Sequence, residues 1–132
     1  MSYASNRTNI EALFFTEFAA AEPNVDIAVE NDGYKPGNNS WVRISVRHAD
    51  TKFKSLGNTN ERFMGAVYVQ IFTEIGKGTA EDDRIADAIA DIFRGRIVNG
   101  IHYVNSNKTP AVIGEGWLQS TVVTEFWTDE NY

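Results

Sequence analysis

The chain contains no cysteine. That excludes disulfides, thiol catalysis and thiolate metal sites. It has two histidines, His48 and His102, and neither has a second ligand at metal spacing. It has little positive charge: 12 Lys and Arg against 18 Asp and Glu give a net charge of −6. A protein this acidic is a poor general binder of nucleic acid, because phosphate contacts need a basic surface. There is no long hydrophobic run. The longest apolar stretch lies near "ALFFTEFAAA", far short of the roughly 20 residues of a membrane helix. The opening "MSYASNRTN" is polar and has no apolar signal-peptide segment. The expectation is a soluble protein of a reducing cytoplasm, with no membrane partner.

What is present suits one domain over residues 1–132, since 42% hydrophobic residues suffice for a core. The charge is uneven. Between Trp41 and Phe63 stand Arg43, Arg47, Lys52, Lys54 and Arg62 against Asp50 and Glu61, 5 − 2 = +3. Between Thr79 and Phe93 stand Glu81, Asp82, Asp83, Asp87 and Asp91 against Arg84, 1 − 5 = −4. Two solvated faces account for this simply. Self-complementarity between neighbouring copies is the sharper alternative.

The spacing of Ile10, Leu13, Phe14 and Phe18 predicts a helix over Asn6 to Ala21, with Thr8 and Glu11 at capping-box spacing, Ser5 an alternative start and Pro23 closing it. "VDIAVEN" reads as a short strand and "NDGYKPGNNS" as turns. "WVRISVRHA" alternates, Val42, Ile44 and Val46 against Arg43, Ser45 and Arg47, and predicts a half-buried strand with a basic outer face. "DTKFKSLGNTNER" reads as a long polar loop. "FMGAVYVQIFTEI" is apolar on both faces, which predicts a central or doubly covered strand.

A second helix is expected from Thr79, placed as its N-cap. Its stripe is Ile85, Ala88, Ile89, Ile92 and Phe93, and Gly95 stops it. The helix dipole accounts for its early acids. Asp83, Asp87 and Asp91 stack at four-residue spacing, a repulsion of about 0.2–0.5 kcal/mol per pair that a helix tolerates without any function. "IVNGIHYVN" reads as a hairpin, "KTPAVIGEG" as short and extended, and "WLQSTVVTEFWTD" as an alternating strand. The fold class is α+β: a mostly antiparallel sheet or sandwich of about five to six strands with two helices on one face, in the order α-β-β-β-α-β-β(-β). Of the large aromatics Trp41, Phe53, Tyr68, Trp117 and Trp127, most are expected in the core. Phe53 stands alone between two lysines and is either folded back or an anchor into a neighbour.

The search for chemistry yields no catalytic, cofactor-binding or metal-binding residue. "GKGT" lacks the glycine spacing and Lys-Ser/Thr pair of a phosphate loop, so it reads as a turn. The aspartate stripe lacks the loop geometry of a calcium or magnesium site. No serine sits in a nucleophile elbow.

Taken in order, "IAVENDGYKP", "WVRISV", "SLG", "RFMGAVYVQIF", "GKGTAEDDRIADAIADIFRG" and "GEGWLQSTVVTEFW" resemble the tail-terminator-like proteins of long-tailed bacteriophages, the tail completion and head–tail joining family. The resemblance covers almost the whole chain. It departs after "SLG", where a basic or Gly-rich stretch is usual and "NTNERF" stands here.

The resemblance implies a structural virion protein, not an enzyme. Such a protein forms a six-membered ring at the head-proximal end of the tail tube, stops its polymerisation and offers a surface for joining to the head. The implied partners are other copies of the chain, the tail tube protein and head-neck connector proteins, with DNA only as passing cargo. It would be in the host cytoplasm during assembly. No cofactor is implied. The expected subunit or tube interface is Arg43, Arg47, Lys52, Phe53, Lys54 and Arg62. Asp83, Asp87 and Asp91 would meet it on the next subunit or line the lumen. The alternatives are another neck or tail-tube ring protein and, in a different class, a small α+β enzyme or ligand-binding domain.

Overall fold

The computed structural model describes residues 3–29, 33, 37, 39–49, 52–53, 60–76 and 78–131, with backbone alone at 52, 53, 60, 61, 130 and 131. Among these there are two helices, α1 (Tyr3–Ala21) and α2 (Ala80–Phe93). There are eight strands: β1 (Asp26–Val29), β2 (Trp41–His48), β3 (Lys52–Phe53), β4 (Asn60–Glu74), β5 (Ile97–Val98), β6 (Ile101–Lys108), β7 (Val112–Gly114) and β8 (Trp117–Asn131). They form one sheet in the order β1-β2-β4-β8-β6-β5, with β3 also against β4 and β7 also against β8. Only the β1–β2 pairing is parallel. The architecture is the expected α+β class.

The sheet is organised by the ribbon of β4 and β8, paired without a break from Asn60↔Asn131 to Glu74↔Trp117. Alternation sorts its side chains. Val67, Val69 and Ile71 of β4 and Val122 and Phe126 of β8 are buried beneath the helices, together with Val42, Ile44 and Val46 of β2. Helix α1 packs over β2, and α2 over β4, β8 and β6. Phe14 lies parallel to both Phe18 and Phe93, at ring-centroid distances of 4.9 and 6.0 Å. Each such burial contributes about 1.5–3 kcal/mol, and this stack ties the two helices to one core.

Gly65 sits where the ribbon leaves no room. A Cβ there would meet the Arg47 carbonyl oxygen at 2.3 Å and the Phe126 ring at 2.8 Å. Of the four residues in the two tight hairpins, Asn99, Gly100 and Gly116 are suited to positive φ, and Glu115 adopts it although its type rarely does. Asn99-Gly100 joins β5 to β6 with φ of 54° and 76°, and Glu115-Gly116 joins β7 to β8 with φ of 53° and 84°. Both have the positive pair that matches the twist of the flanking strands.

Three expectations need correction. Helix α1 begins at Tyr3, so Thr8 is exposed within it and does not cap it. Thr79 stands at the N-cap of α2, but its side chain makes no capping hydrogen bond. The supposed loop after β2 is in part sheet: β3 pairs Lys52 with Arg62 and Phe53 with Glu61, one residue out of register with the β2–β4 pairing. Residues 50, 51 and 54–59 of that stretch lie outside the described residues.

Candidate interaction surfaces

Both helices lie on one face of the sheet, and no described element covers the other. Alternation brings Trp41, Arg43, Ser45 and Arg47 of β2 onto this uncovered face. Tyr68, Gln70 and Phe72 of β4 and Gln119, Thr121 and Trp127 of β8 join them. All three tryptophans of the chain are therefore outside the main core. Trp41 is buried, but in a small separate cluster with Ala28 and Phe72, flanked by Trp117. Its ring stacks on Phe72 at 3.9 Å and meets Trp117 edge-on at 6.3 Å. Tyr68 remains 37% exposed. Strand β4 is central as expected, yet its second apolar face is not covered by a helix. That is why most of these aromatics are not in the main core.

The predicted basic residues divide on this face. The Arg43 guanidinium lies 5.3 and 5.5 Å from the centroids of the Trp41 and Phe72 rings and donates a long, 3.4 Å hydrogen bond to Gln70. Arg47 is exposed. Arg62 is engaged within the chain. It donates to both carboxylate oxygens of Asp129, at 2.8 and 3.1 Å, and lies 4.0 Å over Trp127. That hydrogen bonding raises the Arg62 pKa further. His102 stacks on the same indole at 3.7 Å. Lys52 and Phe53 fall in β3, opposite Arg62 and Glu61. Lys54 lies outside the described residues.

Two shallow depressions mark the face. One, of about 570 Å³, is bounded by Trp41, Arg43, Phe72, Trp117, Gln119 and the β7–β8 turn. The other, of about 530 Å³, is bounded by Ser45, Arg47, Tyr68, Gln70 and Thr121.

The acidic helix lies in the opposite layer. Its first turn is fully engaged. Ser40 donates to the Glu81 carboxylate, and Arg84 donates to Glu22 at 2.9 Å. Asp82, which sequence reading counted only among the dipole-favoured acids, is completely buried. It accepts from Ser120 at 2.5 Å, and Lys108 stands 2.8 Å from its other oxygen. Burial alone would lower the Lys108 pKa, but Asp82 and Asp83 outweigh it and hold the ammonium above its usual value. The signal was present in the sequence: Asp82 is three residues before Ile85 and seven before Ile89, on the buried stripe.

Asp83 is exposed and reaches the same Lys108 at 3.5 Å. Asp87 and Asp91 are exposed and have no ion pair or hydrogen bond among the described residues. The structure therefore groups Arg43, Arg47 and Arg62 on one side of the molecule and the aspartate stripe on the other. Within one chain the two sets do not meet.

His48 packs between Tyr3 and Phe126, at ring-centroid distances of 4.7 and 5.9 Å. Among the described residues neither histidine is hydrogen-bonded to a carboxylate, and no group of three or more His, Asp or Glu side chains could hold a metal.

The profile of one protein family, described as phage tail terminator protein, matches residues 7–124. Eighteen solved chains match in structure. One of them superposes with a TM-score of 0.75 at 17% identity, over 100% of this chain and 98% of its own. At that identity the likeness shows the fold alone. A comparison with curated proteins finds no match.

Proposed function

Because the chain belongs to the phage tail terminator protein family, a structural component of the virion tail, we propose that it closes as a ring on the end of the tail tube. There it stops further polymerisation and presents the surface that joins the tail to the head. The ring is six-membered, as the sequence resemblance implies. Its partners are further copies of itself, the tube protein and the head-neck connectors, and DNA passes through its lumen.

The observation that carries this reading is the placement of charge. Arg43 and Arg47 on the aromatic sheet face and Asp83, Asp87 and Asp91 on the helix face occupy opposite layers of one small domain. A contact between unlike faces is heterologous. It either closes into a ring or runs on into a filament. A terminator needs the closed form, and a tube subunit the open one. Arg43 and Arg47 supply one side of the contact and Asp83, Asp87 and Asp91 the other. Arg62 is a weaker member, since Asp129 already holds it.

The test adds purified protein to tube protein that is polymerising. Shortened tubes with a single ring at one end are expected. Tubes of unchanged length would overturn the reading. Long polymers of this protein alone would make it a tube subunit instead. The enzyme alternative gains nothing from the two histidines. His102 is stacked on an indole and His48 is packed among aromatic rings.

A further inference from the structure

Alternate residues of a strand recur at about 6.6 Å on one face. Arg43, Ser45 and Arg47 therefore form a row about 13 Å long on the uncovered sheet face. Residues four apart on a helix recur at about 6 Å. Asp83, Asp87 and Asp91 form a row about 12 Å long on α2. The two rows match in length to within about 1 Å. Their ends are oppositely charged, and the middle of the β2 row is the neutral, nearly buried Ser45.

The middle of the basic row opens into the 530 Å³ depression, and all five of its lining side chains can donate a hydrogen bond while none is acidic. That is chemistry for a carboxylate. Glu74, Glu125 and Asp129 lie on the same face but on β8 and at the end of β4, so ground favourable to an anion is confined to the β2 row; an extended polyanion would meet those acids.

We propose that the uncovered sheet face is the docking site for helix α2 of a second copy of this chain. The helix lies along β2, with Asp87 over the depression beside Ser45 and Asp91 against Arg47. Asp83 keeps its own Lys108 and points toward Arg43, whose guanidinium already lies over two rings. The proposal rests on the ring reading and specifies its contact.

The absence of cysteine makes the test direct. A chain carrying Asp91→Cys and Arg47→Cys has no other thiols. It is treated with a short bis-maleimide in solution and on tail tubes, beside a control chain carrying Asp91→Cys and Val112→Cys. The expected result is a ladder of covalent oligomers ending at a closed ring, with the control remaining monomeric. Rings or capped tubes seen by negative stain without a ladder would overturn this contact and leave the ring reading standing, as would an equal ladder in the control. If the wild-type chain neither forms rings nor caps tubes, the ring reading fails and the contact fails with it. Duplex DNA bound by the wild type and lost in Arg47→Glu would assign the face to nucleic acid and overturn the proposal.

Discussion

At the scale of single residues, two side chains have consequences that can be measured. Asp82 is a fully buried carboxylate whose compensation is Lys108, Ser120 and the N-terminal dipole of α2. Removing one partner of a buried pair leaves the other charge desolvated, which costs more than the pair itself was worth. Lys108→Met is expected to lower stability by roughly 2–4 kcal/mol, read from urea midpoints. Arg84→Met removes an exposed pair with Glu22 and is expected to cost less than about 1 kcal/mol. Equal losses in the two variants would show that Asp82 is not carrying an uncompensated charge. His48 gives a pH dependence. Desolvation, and then the nearby Arg7, lower its pKa from the ordinary 6.5. The groups packed around it, Tyr3 and Phe126, offer no carboxylate. Well above the unfolded value of 6.5 the ring is neutral in both states and contributes no pH dependence. As the pH falls below that value the unfolded chain takes up a proton that the folded chain resists, so stability declines until the pH passes the folded pKa. Urea midpoints should therefore fall between about pH 7.5 and 5.5, where few carboxylates titrate. His48→Gln should flatten part of that slope. An unchanged slope would remove His48 as its source.

At the scale of elements, legibility followed periodicity and turn chemistry. Helix α2 was readable because Ile85, Ile89, Ile92 and Phe93 repeat on one face and all are buried. Gly95 ends the helix with φ of 69°, and Arg96 donates to the Ile92 carbonyl at 2.9 Å. The Asn99-Gly100 hairpin was readable because few dipeptides adopt two successive positive φ values. Strand β3 was not. Lys52 and Phe53 carry no alternation of their own, and they enter the sheet only because β4 runs past the end of β2 and offers Glu61 and Arg62 to pair with. Such pairing is set by the partner strand, which local sequence does not reveal. The start of α1 was missed for a related reason. Thr8 and Glu11 imitate a capping box, but the helix continues back to Tyr3, whose ring packs against His48 and Phe63. The basic face of β2 was legible from alternation alone. The gathering of Trp41, Trp117 and Trp127 on that same face was not, because it depends on the β4–β8 register. Composition suggested that large aromatics belong to the core. Here the main core is filled by Phe14, Phe18, Phe93, Tyr103, Phe126 and aliphatic residues.

At the scale of the whole molecule, Arg43 and Arg47 lie on one layer and Asp83, Asp87 and Asp91 on the other, so each subunit carries a cationic row and an anionic row on opposite sides. A head-to-tail ring built from such subunits has a property that a symmetric, face-to-face dimer lacks. Consider one chain carrying Asp87→Lys and Asp91→Lys, and another carrying Arg43→Glu and Arg47→Glu. Alone, each places like charges at every junction, and neither is expected to assemble. Mixed in equal amounts, they have only favourable junctions when they alternate: the lysine helix of the first meets the glutamate face of the second, and the aspartate helix of the second meets the arginine face of the first. Alternation around a closed ring is possible only with an even number of subunits. An equimolar mixture is therefore expected to recover ring formation or tube capping, whereas an odd-numbered ring would leave at least one mismatched junction and would stay open. Native mass of the mixture, compared with each variant alone, decides the matter. Rings that form equally well from either variant by itself would show that these charges do not face one another. Recovery only in the mixture would establish the direction of the contact and the parity of the ring together. Recovery should also weaken as salt is raised toward about 1 M, where the screening length falls to about 3 Å and exposed ion pairs lose most of their attraction.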